Sequence, residues 1–179
     1  IAEGLEFELS GEGSDTVPRN ENHLVVRSMR TVFEKVGLDE LPALRLTAHN
    51  RIPHSRGMGS SASAIVAGVA AASALLPEYA RLSRDQIFQI ASDVEGHPDN
   101  VAPSVYGSLS ISWGELGDWH SLIVPVHPTI VPVVAVPDYE VSTKLARSLI
   151  PAEIPHGQAA ANSGRAALLI QSLAQAPEH

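Results

Sequence analysis

The stretch Ile52-Pro-His-Ser-Arg-Gly-Met-Gly-Ser-Ser-Ala-Ser63 lies between an alternating segment, residues 43–48, and an Ala-rich segment, residues 62–76. The alternation of apolar and polar residues predicts a strand, and the small apolar residues predict a close-packed helix. Glycines in the connecting turn permit backbone angles that other residues avoid, and Ser60 and Ser61 stand where a helix prefers its N-cap. The order strand, glycine-rich turn and helix decides the fold of this region.

Such a turn can form an anion site. The first N–H groups of a helix have no partner in the chain and lie at the positive end of its dipole, so a phosphate can supply the missing acceptors. A capped helix after a flexible turn is the alternative explanation of the same residues. The turn is not a Walker A loop, because Ser60 and Ser61 follow Gly59 where a Lys would be needed, and it lacks the third glycine of the dinucleotide fingerprint.

Composition narrows the class of protein. A length of 179 residues, with 44% hydrophobic and 18% charged, indicates one globular domain, or one and part of another. The net charge of −8 argues against nucleic acid as a partner, whereas a nucleotide needs only a local cradle of backbone dipoles. There is no cysteine, which excludes disulfides, and no apolar run typical of a membrane span. The chain opens at Ile1 in what reads as mid-strand, so we expect a piece of a longer protein.

Hydrophobic periodicity predicts the other elements of an α+β chain. The expected strands are residues 1–9, 108–113, 122–126 and 130–136, and the expected helices are residues 21–36, 83–94 and 158–175. Ser83 is the expected N-cap of the middle helix, with Gln86 in the capping-box position. The last helix is expected to bury Ala166, Leu168, Leu169 and Leu173.

The glycine-rich turn resembles the Pro-x-x-x-Gly-Leu-Gly-Ser-Ser-Ala loop of the GHMP kinases. Met58 replaces the usual Leu, with similar volume. The residues that match are Pro53, Gly57, Gly59, Ser60, Ser61 and Ala62.

Two further segments are similar to the homoserine kinases, a family within that superfamily. In the first of them His97 directly follows Gly96, and this short spacing is similar to the actinobacterial type. The first segment matches at Glu95, His97, Asp99, Asn100, Val101, Ala102, Pro103 and Gly107. The second matches a Ser-Thr-x-x-Ala-Arg-x-x-Leu-Pro pattern at Ser142, Thr143, Ala146, Arg147, Ile150 and Pro151.

The resemblance implies the GHMP kinase fold, with a mixed sheet packed by helices on one side. It places an ATP-binding N-terminal domain of the ribosomal protein S5 domain 2-like type at residues 1–125 and the start of a ferredoxin-like second domain at residues 126–179. It also implies that one family motif precedes Ile1 and that a glycine-rich loop follows His179. We therefore expect the chain alone not to phosphorylate homoserine.

The activity implied by the resemblance is ATP-dependent phosphorylation of the side-chain hydroxyl of L-homoserine, a step toward threonine, by a cytoplasmic enzyme that uses Mg²⁺. A homodimer is one option for its assembly. Another kinase of the superfamily, such as a mevalonate-pathway kinase, and a non-catalytic nucleotide-binding module are the alternatives.

The resemblance also implies roles for individual residues. ATP would be bound by Asn22, Pro53, His54, Ser55, Arg56, Gly57, Met58, Gly59, Ser60 and Ser61, with His23 a further candidate. Mg²⁺ would be held by Ser61 and Glu95, with Glu95 and Asp99 catalytic; the substrate would contact His97, Thr143 and Arg147. Arg147 suits a free carboxylate, because a guanidinium makes a two-point contact with it. The structural alternatives are a solvent-facing helix start for Asn22 and His23, a solvated helix-end carboxylate for Glu95, a local hydrogen-bond donor for His97 and exposed cations for Arg56 and Arg147.

Overall fold

The computed structural model describes residues 4–38, 40–139, 146 and 148–175. Its elements are β1 (Leu5–Gly11), α1 (Leu24–Lys35), β2 (Leu44–Asn50), α2 (Ser60–Leu75), a 3-10 turn (Glu78–Ala80), α3 (Arg84–Glu95), α4 (Val101–Tyr106), β3 (Leu109–Glu115), β4 (Asp118–Val124) and α5 (His156–Ala174). The expected α+β class is confirmed.

The described strands form two small sheets, one of parallel and one of antiparallel strands. β1 and β2 are parallel, and β3 and β4 form an antiparallel hairpin, so that the described strands make two sheets of two strands each. One face of the β1–β2 pair is polar, where Arg45 Nε donates to Glu6 Oε2 at 2.7 Å. On the other face Leu44 and Leu46 pack against the hydrophobic core. The helices therefore cover one side of this sheet, as expected.

The core lies among α1, α2, α3 and α4, which together we call the helical layer. At Gly68 of α2, an added Cβ would lie 2.5 Å from the carbonyl oxygen of Val25 and 2.8 Å from the Cβ of Ser28, both in α1. The small residues of α2 therefore let α1 approach closely. The largest fully buried apolar side chains of the layer are Val26, Val32, Ile65, Val69 and Val101.

The hairpin is attached to α3 by side chains that bond the backbone and ring of Trp119. Trp119 N donates to Gln89 Oε1 at 3.0 Å, Gln89 Nε2 donates back to the Trp119 carbonyl at 2.5 Å, and the indole Nε1 donates to Asp93 Oδ1 at 2.9 Å. α3 itself begins with the predicted capping box, because Gln86 N donates to Ser83 Oγ and Ser83 N to Gln86 Oε1. The site residues that follow α3 are thus held on a well-anchored helix.

Two expectations for the C-terminal part are wrong. Residues 130–136 form no strand, and Val133 is 94% exposed. Pro132 lacks a backbone donor, and the described residues offer no neighbouring strand to pair with this segment. The last helix forms, but it buries none of its residues, and Leu168 and Leu169 are 64% and 56% exposed. Its apolar stripe meets no partner surface among the described residues.

Smaller differences concern where elements begin. α1 begins at Leu24, so Asn22 precedes it, and β4 begins at Asp118, four residues earlier than the predicted strand. α4, at Val101–Tyr106, was not expected within the motif after α3. In the part of the chain that the structure describes, no helix has the length and apolar content needed to cross a membrane.

Candidate functional site

Residues 52–61, the phosphate loop, turn sharply into α2 through left-handed backbone conformations. Ser55, Gly57 and Gly59 have φ angles of 56°, 70° and 71°. Gly59 is the N-cap, and no side chain caps the helix, so the prediction of a serine N-cap is wrong. The N–H of Ser63 makes a helical bond to the Gly59 carbonyl at 2.9 Å, and the amides before it in the helix have no acceptor within its backbone ladder. The helix start therefore offers amide donors where an anion can meet them.

Glu95 stands beside this helix start. It is the last residue of α3, and Gly96 ends that helix with a φ of 83°. A negative charge at the C-terminal end of a helix is disfavoured by the helix dipole, so helix stability does not account for Glu95. Its Oε1 instead accepts a hydrogen bond from Ser61 Oγ at 2.6 Å. The structure thus joins the two residues that the sequence predicted as a pair.

His97 and Asp99 form a second pair in the turn after α3. His97 Nδ1 and Asp99 Oδ1 are 2.5 Å apart, and Asn100 N donates to the same oxygen at 2.8 Å. A proton on Nδ1 makes this bond, which leaves Nε2 of a neutral His97 as a hydrogen-bond acceptor. The carboxylate therefore fixes both the orientation and the tautomer of the ring.

A cavity of about 570 Å³ connects these groups. It is walled by the segment that leads from β1 to α1, by the phosphate loop with the start of α2, and by the turn after α3. The predicted site residues that line it are Asn22, Pro53, His54, Ser55, Gly57, Met58, Gly59, Ser60, Ser61, Glu95 and His97.

Four predicted site residues differ from the rest. Arg56 does not line the cavity: its Nε donates to the Pro137 carbonyl at 2.8 Å and its guanidinium also bonds the carbonyls of His54 and Asp138. Asp99 does not line the cavity either, and its Oδ1 bonds His97, which does. Thr143 and Arg147 lie outside the described residues.

His23 lines the same cavity and is 7% exposed. Its Nδ1 accepts from Val25 N at 3.3 Å, so it caps α1, and a neutral ring then carries its proton on Nε2. Burial lowers the pKa of the imidazole below its usual value, which keeps the ring neutral. His23 is therefore a buried cap, not the solvent-facing residue of the structural alternative.

Sequence reasoning missed the residues contributed by the ends of β1 and β2 and by the segment after β1. Ser10, Glu12, Ser14 and Asn50 line the cavity, as does the pair Val17-Pro18. The predicted strands gave no reason to expect residues 10–18 beside the phosphate loop. That proximity follows from parallel pairing of β1 with β2, in which Gly11 lies opposite Asn50.

The donor set at Ser61 and Glu95 fits a hard divalent cation. A hydroxyl and a carboxylate oxygen, 2.6 Å apart, are the ligand types that Mg²⁺ prefers, and it usually takes few protein ligands and completes its shell with water and phosphate oxygens. Within the described residues no three His, Cys, Asp or Glu side chains gather at one point. These two protein ligands do not complete a coordination shell, so the pair suits an ion that is also bound by phosphate oxygens.

Residues 23–108 match the family model of the GHMP kinases N terminal domain. The chain is also similar along its length to curated proteins named homoserine kinase. The relative from Streptomyces coelicolor is 47% identical over 176 residues, which are 98% of this chain and 57% of the relative. The relative from Leifsonia xyli is 46% identical over 175 residues, 98% of this chain and 54% of the relative. The chain thus spans a little over half the length of these relatives.

The fold is similar to that of solved proteins as well. A crystal structure of homoserine kinase from Cytophaga hutchinsonii superposes with a TM-score of 0.74, at 24% identity, over 95% of this chain and 55% of that one. At this level of identity the similarity supports the fold alone. The glycine-rich loop, the Ser61–Glu95 pair and the cavity lie inside the matched domain.

Proposed function

The chain belongs to the GHMP kinase family, and from this premise we propose that the protein phosphorylates the side-chain hydroxyl of L-homoserine with ATP. The observation that carries the proposal is the meeting of the Ser61 hydroxyl and the Glu95 carboxylate beside the amides that begin α2. The proposal includes a place in threonine biosynthesis in the cytoplasm. The choice of homoserine is supported by the names of relatives that align with nearly the whole chain.

The nucleotide would lie along the cavity, whose volume of about 570 Å³ is in the range of small-molecule sites. The amides at the start of α2 hold the terminal phosphates, because they are open donors at the positive end of the helix dipole. The base and ribose would then extend toward Asn22 and His23, which line the same cavity. Arg56, whose donors bond carbonyls at residues 54, 137 and 138, supports the phosphate loop from behind.

Phosphoryl transfer depends on positioning and charge neutralisation more than on a strong base. Ser61 and Glu95 would hold Mg²⁺ with the phosphates. When bound, the ion neutralises charge on the β- and γ-phosphate oxygens. Glu95 suits this role because its negative charge at the C-terminal end of α3 is disfavoured by the helix dipole, and a bound cation would neutralise it.

The acceptor would enter beside the turn after α3. His97 lines the cavity, and Nε2 of its neutral ring is a hydrogen-bond acceptor that would match the donor groups of an amino alcohol, its hydroxyl and its ammonium. Asp99, whose Oδ1 bonds His97 Nδ1, would serve the reaction by holding this ring in place toward the acceptor. Thr143 and Arg147, outside the described residues, complete the proposal as contacts to the substrate, Arg147 with its carboxylate.

The proposed division into domains follows the same family. Residues 1–125 would form the nucleotide-binding domain and residues 126–179 the start of a second domain. The weak attachment of α5, which contacts the preceding segment through the bond from His127 N to the Leu173 carbonyl at 2.8 Å, supports a boundary near this point. The proposal also includes assembly of the protein as a homodimer.

The test is ADP release by the full-length protein, measured by a coupled assay with homoserine, mevalonate and galactose in turn. We expect turnover with homoserine alone. Turnover with mevalonate or galactose would replace the proposed substrate, and turnover with none would indicate a nucleotide-binding module without catalysis. As a second arm, Arg147→Ala should raise the KM for homoserine far more than the KM for ATP; the opposite pattern would assign Arg147 to the nucleotide.

A further inference from the structure

We propose that Asn50 is a positioning residue for the nucleotide: its side-chain amide ties one wall of the cavity to the phosphate loop and so fixes the distance between the base end and the phosphate end of the site. The inference rests on the proposed use of ATP. We call the group formed by Glu12, Gly13, Asn50, Ile52 and His54 the Asn50 junction.

The junction stands where two walls of the cavity meet. Asn50 is the last residue of β2, directly before the phosphate loop, and lies opposite Gly11 at the end of β1. Glu12 N donates to the Asn50 carbonyl at 2.8 Å, which extends the pairing one residue beyond the sheet. The chain then turns away at residues 12–18 to form the wall opposite the loop.

The side chain of Asn50 bonds both walls at once. Its Nδ2 lies 3.0 Å from the Glu12 carbonyl on one wall and 3.0 Å from the Ile52 carbonyl on the other. Its Oδ1 accepts from Ile52 N at 3.0 Å. Two carbonyls on the nitrogen and an N–H on the oxygen leave one orientation of the amide that satisfies every partner.

His54 and Gly13 join the same two walls by direct packing. His54 Nε2 also lies 3.0 Å from Asn50 Nδ2, so it shares the two N–H groups of this amide with the Glu12 and Ile52 carbonyls. A Cβ added at Gly13 would lie 2.2 Å from His54 Cε1, so the turn touches the loop histidine with no room for a side chain. The Gly13 carbonyl accepts from Thr16 and Val17, which carries this contact into the cavity wall.

This arrangement matters because ATP has two ends. When the binding groups for both ends are held at a fixed separation, engagement of one end raises the effective concentration of the other. If the walls move relative to one another, each end can still bind, but the gain from linkage is lost. An inorganic tripolyphosphate, which has only the phosphate end, should be nearly indifferent to the junction.

Asn50→Ser in the full-length protein separates the two roles. A serine hydroxyl can still accept from the N–H two residues later, so the start of the loop remains pinned, but it is too short to reach the Glu12 carbonyl. We expect the dissociation constant for MgATP, measured calorimetrically, to rise about tenfold, the effect of losing roughly one net hydrogen bond, and that for magnesium tripolyphosphate by less than about threefold. In turnover, the KM for ATP should rise with little change in kcat.

Gly13→Ala is the second variant, since it disturbs the junction from the opposite wall and leaves Asn50 in place. It should also raise the dissociation constant for MgATP more than that for magnesium tripolyphosphate. Thr47→Ala is the matched control, because the Thr47 hydroxyl bonds Glu8 at 3.2 Å on the outer face of the same strand pair. It should change neither constant.

Equal losses for MgATP and tripolyphosphate in both variants would overturn the inference and leave Asn50 as a residue that only folds the loop. Unchanged affinities in both would overturn it as well. Failure of the proposed function gives a different result: the wild-type protein would then bind MgATP no more tightly than tripolyphosphate.

Discussion

Helices α2 and α5 differ in what surrounds them, although both are Ala-rich and both begin without a side-chain cap. α2 lies in the helical layer and buries Ala62, Ile65, Gly68, Val69, Ala72 and Ser73. α5 buries none of its residues. Composition and helix propensity are therefore shared, and the neighbouring elements decide whether an apolar stripe becomes core.

The same contrast holds at the two helix starts. At α2, the carboxylate of Glu95 reaches Ser61 from the end of α3, and the cavity opens in front of the amides. At α5, Pro155 precedes an exposed first turn with no comparable partner among the described residues. An uncapped helix start becomes a site only when other segments bring ligands to it.

The largest effect is expected from Glu95→Gln, which tests whether the start of α2 is a site and the start of α5 is not. The substitution keeps the volume and a hydrogen-bonding oxygen but removes the charge that we assign to the cation. We expect kcat to fall by at least about 10²-fold, the scale seen when one electrostatic contact to a developing charge is removed. Steady-state kinetics at saturating Mg²⁺ measures the fall.

Glu153→Gln, just before α5, is the matched control and should leave kcat within about twofold, as for surface substitutions away from a site. Circular dichroism should show the fold of both variants intact. Near-normal turnover in the Glu95 variant would remove that residue from the metal.

Truncation of one apolar residue on each helix tests the packing side of the contrast. Ile65 is 1% exposed, so Ile65→Ala should lower the free energy of unfolding by roughly 2–5 kcal/mol. Leu168→Ala on α5 should cost less than about 0.5 kcal/mol, because its side chain is already mostly in water. Denaturant unfolding of the full-length protein gives both values. A large cost at Leu168 would mean that another part of the protein covers this face of α5.

A glycine pair should give effects of opposite sign. At Gly68 an added methyl meets the backbone of α1, so Gly68→Ala should destabilise the protein by about 1–3 kcal/mol as overpacking. At Gly164 of α5 nothing lies within 4 Å of an added Cβ, and Gly164→Ala should stabilise by about 0.5–1 kcal/mol through helix propensity. Thermal unfolding compares them. The same sign at both positions would contradict the close approach of α1 to α2.

Much of this arrangement could be predicted from the sequence. Local signals were sufficient for the glycine-rich turn, for the capping box of Ser83 with Gln86, and for the pairing of Ser61 with Glu95 through the family motif. Each of these depends on residues near in sequence or on a motif with fixed chemistry.

Other features depend on which segments meet in space. The junction at Asn50 exists because β1 pairs in parallel with β2, and periodicity does not reveal the partner of a strand. The stripe on α5 and the valines of residues 130–136 have the composition of buried elements, but composition does not supply the surface that would bury them. The predictions failed at these positions for that reason.

The smallest expected effect concerns how α1 begins. His23 is buried beside Phe7 and accepts from Val25 N through Nδ1, and burial lowers its pKa below the usual 6.5. Above pH 6.5 the ring is neutral in both folded and unfolded chains, so its contribution to stability is complete. As the pH falls below that value, the unfolded chain takes up the proton first, and the folded protein loses stability until its own lower pKa is passed.

His23→Asn retains a capping oxygen for α1 but cannot titrate. The free energy of unfolding of the wild-type protein minus that of this variant should therefore be constant above pH 7 and decline toward pH 5, with the contributions of shared carboxylates cancelling in the difference. A difference that stays flat over this range would mean that the imidazole is not held neutral at the start of α1, and the helical layer would then have no acid-sensitive group at this position to distinguish it from the exposed start of α5.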